Sequence, residues 1–342
     1  MPYVPPELLK CVVFLGYVNQ KDEEKLAGSA FWVSRTPYDD LETYKPAYLV
    51  TAAHVIEHVR SDARDNKVRV RVNLRNGGQE WRDTFIGSWK VYPNPAFDLA
   101  VLKIGIDEST DHVAFPQAWF VTEKSMEDDG RAIELGDELF FAGLFYPHKG
   151  EKKNIPIVRV GNVAALRDEP VLNRDGHLMD AYLVESRSIA GLSGSPVFMD
   201  VQLAKRVHEG SRPWITGSNP SKFRLVGVMH GHFDWQDVEP DVVADDGKKK
   251  LGVNMGIAIV IPAEKIAQVL DEFMKEGEES EAQQYRQEHA SVSVGGAGIG
   301  SNATFQTATF GSGKGLEIPA RPARVGTSSQ QDGAVSKDGG KG

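Results

Sequence analysis

The sequence predicts an all-β protein with one C-terminal α-helix and a disordered tail, and three observations support this fold class. The first is a series of short apolar runs over about the first 260 residues, rich in Val, Ile, Phe and Tyr and bounded by Gly, Pro, Asn or Asp. The second is a single amphipathic repeat that follows Pro262. The third is a change to Gly, Ser, Thr and Gln from about Ser291 onward.

Ten of the apolar runs are predicted to be strands. They are short and fairly evenly spaced, which favours a sandwich or a barrel over alternating β-α units. The predicted strands are Cys11–Tyr17, Ser29–Ser34, Ala47–Thr51, Lys67–Leu74, Leu99–Ile104, Glu138–Ala142, Tyr182–Glu185, Pro196–Met199, Leu225–Met229 and Met255–Ile261.

The helix is predicted from Pro262, which suits a first helical turn. Apolar residues then follow at i, i+3, i+4 and i+7, so this stripe is expected to dock on the β structure. These residues are Ile266, Val269, Leu270 and Phe273. Residues 274–290 continue as a polar helical extension, and residues 291–342 bury too little apolar surface to offset the entropy of ordering, which predicts disorder.

The composition indicates which cellular compartment and which kinds of partner are expected. The net charge of −9 over 342 residues argues against a nucleic-acid surface, which needs clustered Lys and Arg. Cys11 is the only cysteine, so no internal disulfide forms, and a reducing compartment with a buried Cys11 is favoured. The start MPYVPPELLK lacks a signal-peptide pattern, and no run approaches the ~20 apolar residues of a membrane helix. We therefore expect a cytoplasmic protein without a membrane or nucleic-acid partner.

Three local motifs carry the candidate chemistry. Thr51–His54 follows an apolar strand, Asp98 opens another, and Gly191–Pro196 reads Gly-Leu-Ser-Gly-Ser-Pro before a third. Each motif alone is only moderately informative. Together they present His54, Asp98 and Ser193 in that order, at intervals of 44 and 95 residues. A serine hydroxyl needs an adjacent base to become nucleophilic, and a histidine oriented by a carboxylate supplies that base.

This combination resembles the chymotrypsin-like (trypsin-like) serine proteases, and is most similar to the bacterial HtrA-type branch, over roughly residues 8–273. The resemblance implies two six-stranded antiparallel β-barrels with an active site between them. It implies that His54 is the general base, Asp98 its orienting carboxylate and Ser193 the nucleophile. The N–H groups of Gly191 and Ser193 would form the oxyanion hole, and Ser195 stands where the family often has glycine. The expected activity is endopeptidase cleavage of protein or peptide substrates through an acyl-enzyme, without a cofactor or metal.

The same resemblance implies a substrate-binding strand at Leu225–Gly231, where an extended peptide would add as a further strand. Residues predicted to contact substrate are Arg187, Ala190, Met229, His230, Gly231 and His232. Arg187 at the pocket floor would favour an acidic side chain in the substrate. An outward-turned Arg187, or a loop offset by one residue, fits the sequence equally well. A metal pair formed by His230 and His232 is not expected, because the sequence offers no third ligand.

Two features that differ from the family pattern bear on how the activity is regulated. Leu192 occupies a position where digestive members have an acidic residue that pairs with a newly released N-terminus, so no zymogen step of that kind is expected. The sequence from Glu276 onward is too poor in apolar residues to form a peptide-binding PDZ-like domain. A regulatory protein partner is therefore one hypothesis for how activity is controlled.

Two other functions fit parts of the sequence. Residues 54–58 read His-Val-Ile-Glu-His, which matches the H-x-x-E-H motif of some zinc metalloproteases. That mechanism needs a further ligand from a downstream helix, which the sequence does not offer in an evident helical context. The other alternative is a catalytically latent binding or regulatory protein on a protease fold, because fold does not determine function.

Overall fold

The computed structural model describes residues 4–34, 47–129, 132–173, 176–186, 191–201, 223–234 and 254–272. The predicted helical extension at 274–290, the predicted tail at 291–342, and Phe273 lie outside these residues. No helix in the described part of the chain is long and apolar enough to cross a membrane.

The N-terminal half forms a strongly curled sheet of eight strands. In chain order these are β1 (Val12–Val18), β2 (Glu24–Ser34), β3 (Ala47–Ala52), β4 (Lys67–Asn73), β5 (Gln79–Phe85), β6 (Lys90–Val91), β7 (Leu99–Ile104) and β8 (Phe115–Pro116). Seven of them run in the order β5-β4-β1-β2-β3-β7-β6, and β8 pairs with β2 in parallel. Helix α1 (Ala53–Asp62) follows β3 directly.

The C-terminal half contains a closed barrel. Its six strands are β9 (Glu138–Gly143), β10 (Ile157–Ala165), β13 (Tyr182–Glu185), β14 (Pro196–Asp200), β15 (Phe223–Asp234) and β16 (Asn254–Pro262), and β11 (Val171–Leu172) and β12 (Leu178–Met179) form a separate hairpin. The barrel closes in the order β10-β13-β16-β15-β14-β9 with antiparallel pairing throughout. Helix α2 (Glu123–Asp129) precedes the barrel, and helix α3 spans residues 263–272.

The predicted chymotrypsin-like architecture of two β-barrels and a C-terminal helix is confirmed, with two corrections. The N-terminal barrel is a curled eight-stranded sheet rather than a closed six-stranded barrel. Pro262 does not begin the helix, because it is the last residue of β16 and pairs with Gly227 of β15. Helix α3 therefore begins one residue later, at 263.

Three groups of buried side chains form the core. One fills the N-terminal sheet, and one fills the closed barrel. The largest lies where the two halves meet, and it includes Phe14, Phe31, Phe140, Phe198 and Leu225 together with Ile266, Val269 and Leu270 of α3. The predicted docking of the helix stripe is confirmed for these three residues. The two halves share a close-packed junction, which fixes the loops that meet there.

Cys11 lies at the end of a short 3₁₀ helix, Leu8–Cys11, immediately before β1. It is fully buried, and burial raises the pKa of its thiol well above the usual range. The predicted burial of this cysteine is confirmed, although it precedes the strand instead of beginning it. A thiol with this pKa stays protonated at neutral pH and is a poor nucleophile.

A cluster of charges joins the closed barrel to α3. Asp180 accepts two hydrogen bonds from Arg167, at 2.7 and 3.0 Å, and lies 3.0 Å from Nζ of Lys265. Arg167 also donates to Glu264 at 3.1 Å. Burial alone would raise the pKa of the Asp180 carboxyl, but its hydrogen bonds to Arg167 and Lys265 outweigh burial and hold that pKa below its usual range.

Because the pKa of Asp180 is lower in the folded state, the carboxylate stabilises the fold above the unfolded pKa of about 3.9. That stabilisation is lost as the pH falls through the lower folded pKa. Asp180 is partly exposed, so we expect Asp180→Asn to reduce the free energy of unfolding by only about 1 kcal/mol at pH 7. Urea unfolding at pH 7 and pH 3 measures this, with a smaller effect expected at pH 3. The exposed Asp168→Asn is the control, and an equal loss at both pH values would contradict the ion-pair explanation.

Candidate active site

His54 lies in the first turn of α1, where the chain leaves β3. Ala52 is still extended, at φ −72° and ψ 139°, and the helix begins at Ala53. The register of β3 against β7 pairs Ala52 with Leu99. Because Asp98 immediately precedes Leu99, this register brings His54 beside Asp98, although they are 44 residues apart in sequence.

Asp98 holds both the helix and the histidine. Its Oδ1 accepts the backbone N–H of His54 at 2.9 Å, and its backbone oxygen accepts the N–H of Ala53 at 2.9 Å. The carboxylate therefore caps α1, whose own N-cap residue makes no side-chain cap. Its Oδ2 lies 2.8 Å from Nδ1 of His54. Asp98 has a φ of +44°, a strained conformation for a residue other than glycine and one that clusters at functional sites.

The ionisation of Asp98 follows from these contacts. Burial alone would raise the pKa of its carboxyl, but hydrogen bonds from His230 and His54 outweigh burial and hold this pKa well below its usual range. The N-terminus of α1 adds a favourable dipole for a negative charge. Asp98 is therefore a carboxylate at neutral pH, as the predicted orienting group must be.

Ser193 lies on a tight turn that is bound to the N-terminal sheet. Two glycines with positive φ shape this turn, Gly191 at +101° and Gly194 at +81°. Ser29 of β2 binds both sides of the turn: its Oγ donates to the oxygen of Gly191 at 3.0 Å, and its N–H donates to the oxygen of Ser193 at 2.9 Å. A Cβ at Gly194 would lie 2.1 Å from the oxygen of Ser29, so only glycine permits this approach.

The turn presents two backbone donors. Within the described residues, the N–H groups of Gly191 and Ser193 make no hydrogen bond to the protein. These are the two donors predicted to form the oxyanion hole. Unpaired backbone N–H groups beside a nucleophile are what stabilisation of a developing oxyanion requires.

The Ser193 hydroxyl is not directed at His54 in this structure. Its Oγ donates to the backbone oxygen of His230 at 3.1 Å. Attack on a substrate carbonyl requires rotation of the hydroxyl from this acceptor to Nε2 of His54. Catalytic hydrogen bonds are often formed only in the substrate complex, so this resting contact is compatible with the predicted role.

His230 occupies a place that the sequence did not predict. Its Nδ1 makes a short hydrogen bond to the same Asp98 Oδ2 that contacts His54, and the two imidazole rings meet edge to face with centroids 5.2 Å apart. The cause is a bulge in β15: the register against β16 shifts between Met229 and Gly231, and His230 is the extra residue. A bulge depends on how β15 pairs with β16, which lies more than 20 residues further along the chain, so no local sequence signal identifies this contact.

The other predicted substrate contacts have different outcomes. The prediction that Met229 contacts substrate is corrected, because its side chain is buried in the barrel core. Its backbone is also occupied: the Met229 N–H donates to the oxygen of Ser195, and the Met229 oxygen accepts the N–H of Gly194. Gly231 and His232 lie on β15 beyond Val228, the last residue that pairs with β14. Along this stretch β16 pairs with one edge, and no described strand pairs with the other. Arg187 and Ala190 lie outside the described residues.

The H-x-x-E-H motif lies on α1, but its side chains do not converge. Nδ1 of His54 contacts Asp98, whereas Nε2 of His58 lies 3.1 Å from the hydroxyl of Tyr17. Glu57 is exposed and pairs with Arg60 at 2.8 Å. In the part of the chain that the structure describes, this motif therefore does not assemble the ligand set of a zinc metalloprotease.

Leu192 is 1% exposed and packs into the core of the closed barrel. It has no polar group with which to bind a new N-terminus. A buried leucine at this position cannot form the ion pair that an acidic residue forms with a new N-terminus in digestive members.

Comparison with known proteins adds a family match. The family model for a trypsin-like peptidase domain matches residues 28–202, a segment that contains His54, Asp98 and Ser193 and ends before His230. Among solved structures, a crystal structure of Deg5 is similar, with 17% sequence identity, coverage of 77% of this chain and 88% of that chain, and a TM-score of 0.42. No curated protein that was compared with the chain matches it.

Proposed function

Because the chain belongs to the trypsin-like peptidase family, we propose that it is a serine endopeptidase acting through His54, Asp98 and Ser193. The main support for this proposal is the pair of contacts that Asp98 makes. Its carboxylate caps α1, and its Oδ2 lies 2.8 Å from Nδ1 of His54. A buried carboxylate at this position fixes the tautomer in which Nε2 of His54 carries the lone pair that accepts a proton.

The proposed reaction begins when Oγ of Ser193 attacks the scissile carbonyl and His54 takes its proton. The N–H groups of Gly191 and Ser193 stabilise the oxyanion, and one such donor is worth about 10²–10³ in turnover. His54 then protonates the leaving amine, which leaves an acyl group on Ser193. Water, deprotonated by His54, hydrolyses this ester and restores the enzyme. Asp98 remains ionised throughout and stabilises the imidazolium.

One edge of β15 supports the proposal of a peptide substrate. Met229 and His230 contact the turn at Ser193 through their backbones, but residues 231–234 have β16 on one side and no described strand on the other. A Cβ at Gly231 would meet no atom of the described residues within 4 Å, so the face of β15 at this position leaves room for substrate side chains. We propose that an extended substrate segment adds to this edge, with backbone hydrogen bonds supplying affinity.

A direct test uses the purified full-length chain with fluorescent casein. We expect hydrolysis that survives a metal chelator, stops with a serine-directed phosphonate, and occurs while mass spectrometry shows an intact N-terminus. Activity that appears only after N-terminal cleavage would contradict the role given to Leu192. Loss of activity with the chelator would favour a metal-dependent mechanism instead.

A second candidate is a catalytically latent protein whose cleft binds partners. The observation that favours it is the hydrogen bond of Ser193 Oγ to the backbone oxygen of His230, at 3.1 Å, in place of one to His54. A regulatory partner could then act by turning this hydroxyl toward His54. Casein that remains uncut, and a Ser193 that does not react with the phosphonate, would support latency.

A further inference from the structure

Three donor atoms of the site lie close together. Nδ1 of His54 and Nδ1 of His230 both contact Oδ2 of Asp98, and the three residues each offer one ligand atom within 4.8 Å of the others. Among the described residues, this is the one group of three or more side chains placed to hold a metal ion. From the sequence no metal is expected here, because His232 is the only other histidine near His230 in the chain, and His54 and Asp98 are more than 130 residues away.

Two imidazoles and one carboxylate are a ligand set that suits Zn²⁺. Zinc sites with three protein ligands keep a fourth position for water, with metal-to-ligand distances of about 2.0–2.2 Å. A tetrahedral ion with such distances needs donors about 3.3 Å apart. The observed 2.8 Å between Nδ1 of His54 and Oδ2 of Asp98 lies near this value, and all three donors lie within 4.8 Å. Small side-chain rotations therefore suffice to surround an ion.

The fold holds two of these ligands in place. Asp98 and His230 have side chains that are 7% and 14% exposed, whereas that of His54 is 40% exposed. The N–H of His54 fixes Oδ1 of Asp98, and the bulge of β15 fixes His230. A metal site whose ligands are oriented by outer hydrogen bonds binds more tightly than one without them. Because the His54 side chain is 40% exposed, an ion can reach the three ligands from solvent past this residue.

We infer that a divalent transition-metal ion such as Zn²⁺ binds His54, His230 and Asp98 and reversibly inhibits the enzyme. The inhibitory part of this inference rests on the proposed peptidase function, whereas the binding part does not. The ion takes the lone pair of Nδ1 on each imidazole and displaces the proton that Nδ1 otherwise donates to Asp98. The proton of a neutral His54 then resides on Nε2.

This change of tautomer explains the inhibition. A His54 that carries its proton on Nε2 has no lone pair there to accept the proton of Ser193, so acylation stops. Removal of the ion returns the proton to Nδ1 and restores the base. His230 gives the site its third ligand, and it lies outside the segment matched by the family model, so the metal site is not a property of that match.

Binding is tested apart from activity with Co²⁺, whose visible absorption strengthens when it enters a tetrahedral site. The protein is the Ser193→Ala variant, which keeps all three ligands and cannot turn over substrate. We expect a saturable Co²⁺ spectrum that Zn²⁺ displaces, and no such spectrum when His230→Ser is added. No spectrum in either protein would overturn the inference, whatever the peptidase assay shows.

Inhibition is tested with Zn²⁺ on the active enzyme and on two variants of His230. Loss of an outer hydrogen bond to a ligand costs 10–100-fold in metal affinity, so removal of the ligand itself is expected to raise the inhibitory Zn²⁺ concentration by at least about 100-fold. His230→Ser and His230→Asn are both used, because the asparagine amide can still donate to Asp98 if the serine variant folds poorly. Each variant is scored against its own rate without metal.

His232→Ser is the matched control, since His232 lies on the same strand outside the ligand group, and its Zn²⁺ sensitivity is expected to equal that of the unmodified enzyme. A chelator is expected to restore activity fully. Equal inhibition of the unmodified enzyme and both His230 variants would overturn the inference, because it would place the ion on His54 without His230.

Discussion

Ser193→Ala is expected to lower kcat by about 10⁶-fold, since removing the nucleophile of such a triad leaves only the oxyanion hole and substrate binding. The structure gives no reason for this variant to unfold, because the Ser193 hydroxyl makes one hydrogen bond, to the oxygen of His230. Rates on a fluorogenic peptide and thermal unfolding curves measure the two effects separately. We expect a lost rate with an unchanged melting temperature.

Ser195 provides the matched control two residues away. Its side chain is fully buried, and its Oγ has no hydrogen-bond partner in the described structure. A buried hydroxyl without a partner costs free energy, so Ser195→Ala is expected to leave stability unchanged or raised. Activity is expected to stay within about twofold of the unmodified enzyme, since the surface is not altered. Comparable losses of activity in both alanine variants would contradict the assignment of Ser193 as the nucleophile.

Asp98→Asn is expected to have the second largest effect, about 10⁴-fold in kcat. The asparagine amide can donate to Nδ1 of His54, which places the imidazole proton on Nε2 and removes the base. The change also removes the negative charge at the N-terminus of α1, although the amide oxygen can still accept the N–H of His54. Single-turnover acylation with an activated ester measures the chemical step directly.

The stability of this variant separates chemistry from folding. Asp98 is buried and contacts two imidazoles, so we expect Asp98→Asn to lose about 1–3 kcal/mol of stability while remaining folded at 25 °C. A loss of kcat below tenfold in a folded Asp98→Asn protein would contradict the role of Asp98 as the orienting carboxylate.

The fold could be predicted from the sequence where a strand has its own run of β-branched and aromatic residues. All ten predicted strands are present, because their runs of β-branched and aromatic residues are the buried parts of the two sheets. Strand β5, Gln79–Phe85, was not predicted, because most of its side chains are polar and at least partly exposed. The curled, open form of the N-terminal sheet depends on which strands pair, and composition carries little information about that.

The site was predictable where it follows from short motifs. The contact between His54 and Asp98 follows from the register of β3 against β7, and the turn at Ser193 follows from its glycines. The contact between His230 and Asp98 joins residues 132 apart through a bulge, which no motif encodes. Met229 was placed in the cleft by the same resemblance, but both its side chain and its backbone are used within the barrel.

We propose that Ser193 is a nucleophile activated by His54 and Asp98. The most direct measurement is labelling of the native full-length chain with a fluorophosphonate, followed by mass-spectrometric mapping of the modified residue. We expect one adduct, on Ser193, that is lost after denaturation and strongly reduced in Asp98→Asn. An unlabelled native chain, or an adduct on Ser195, would rule out Ser193 as the activated nucleophile.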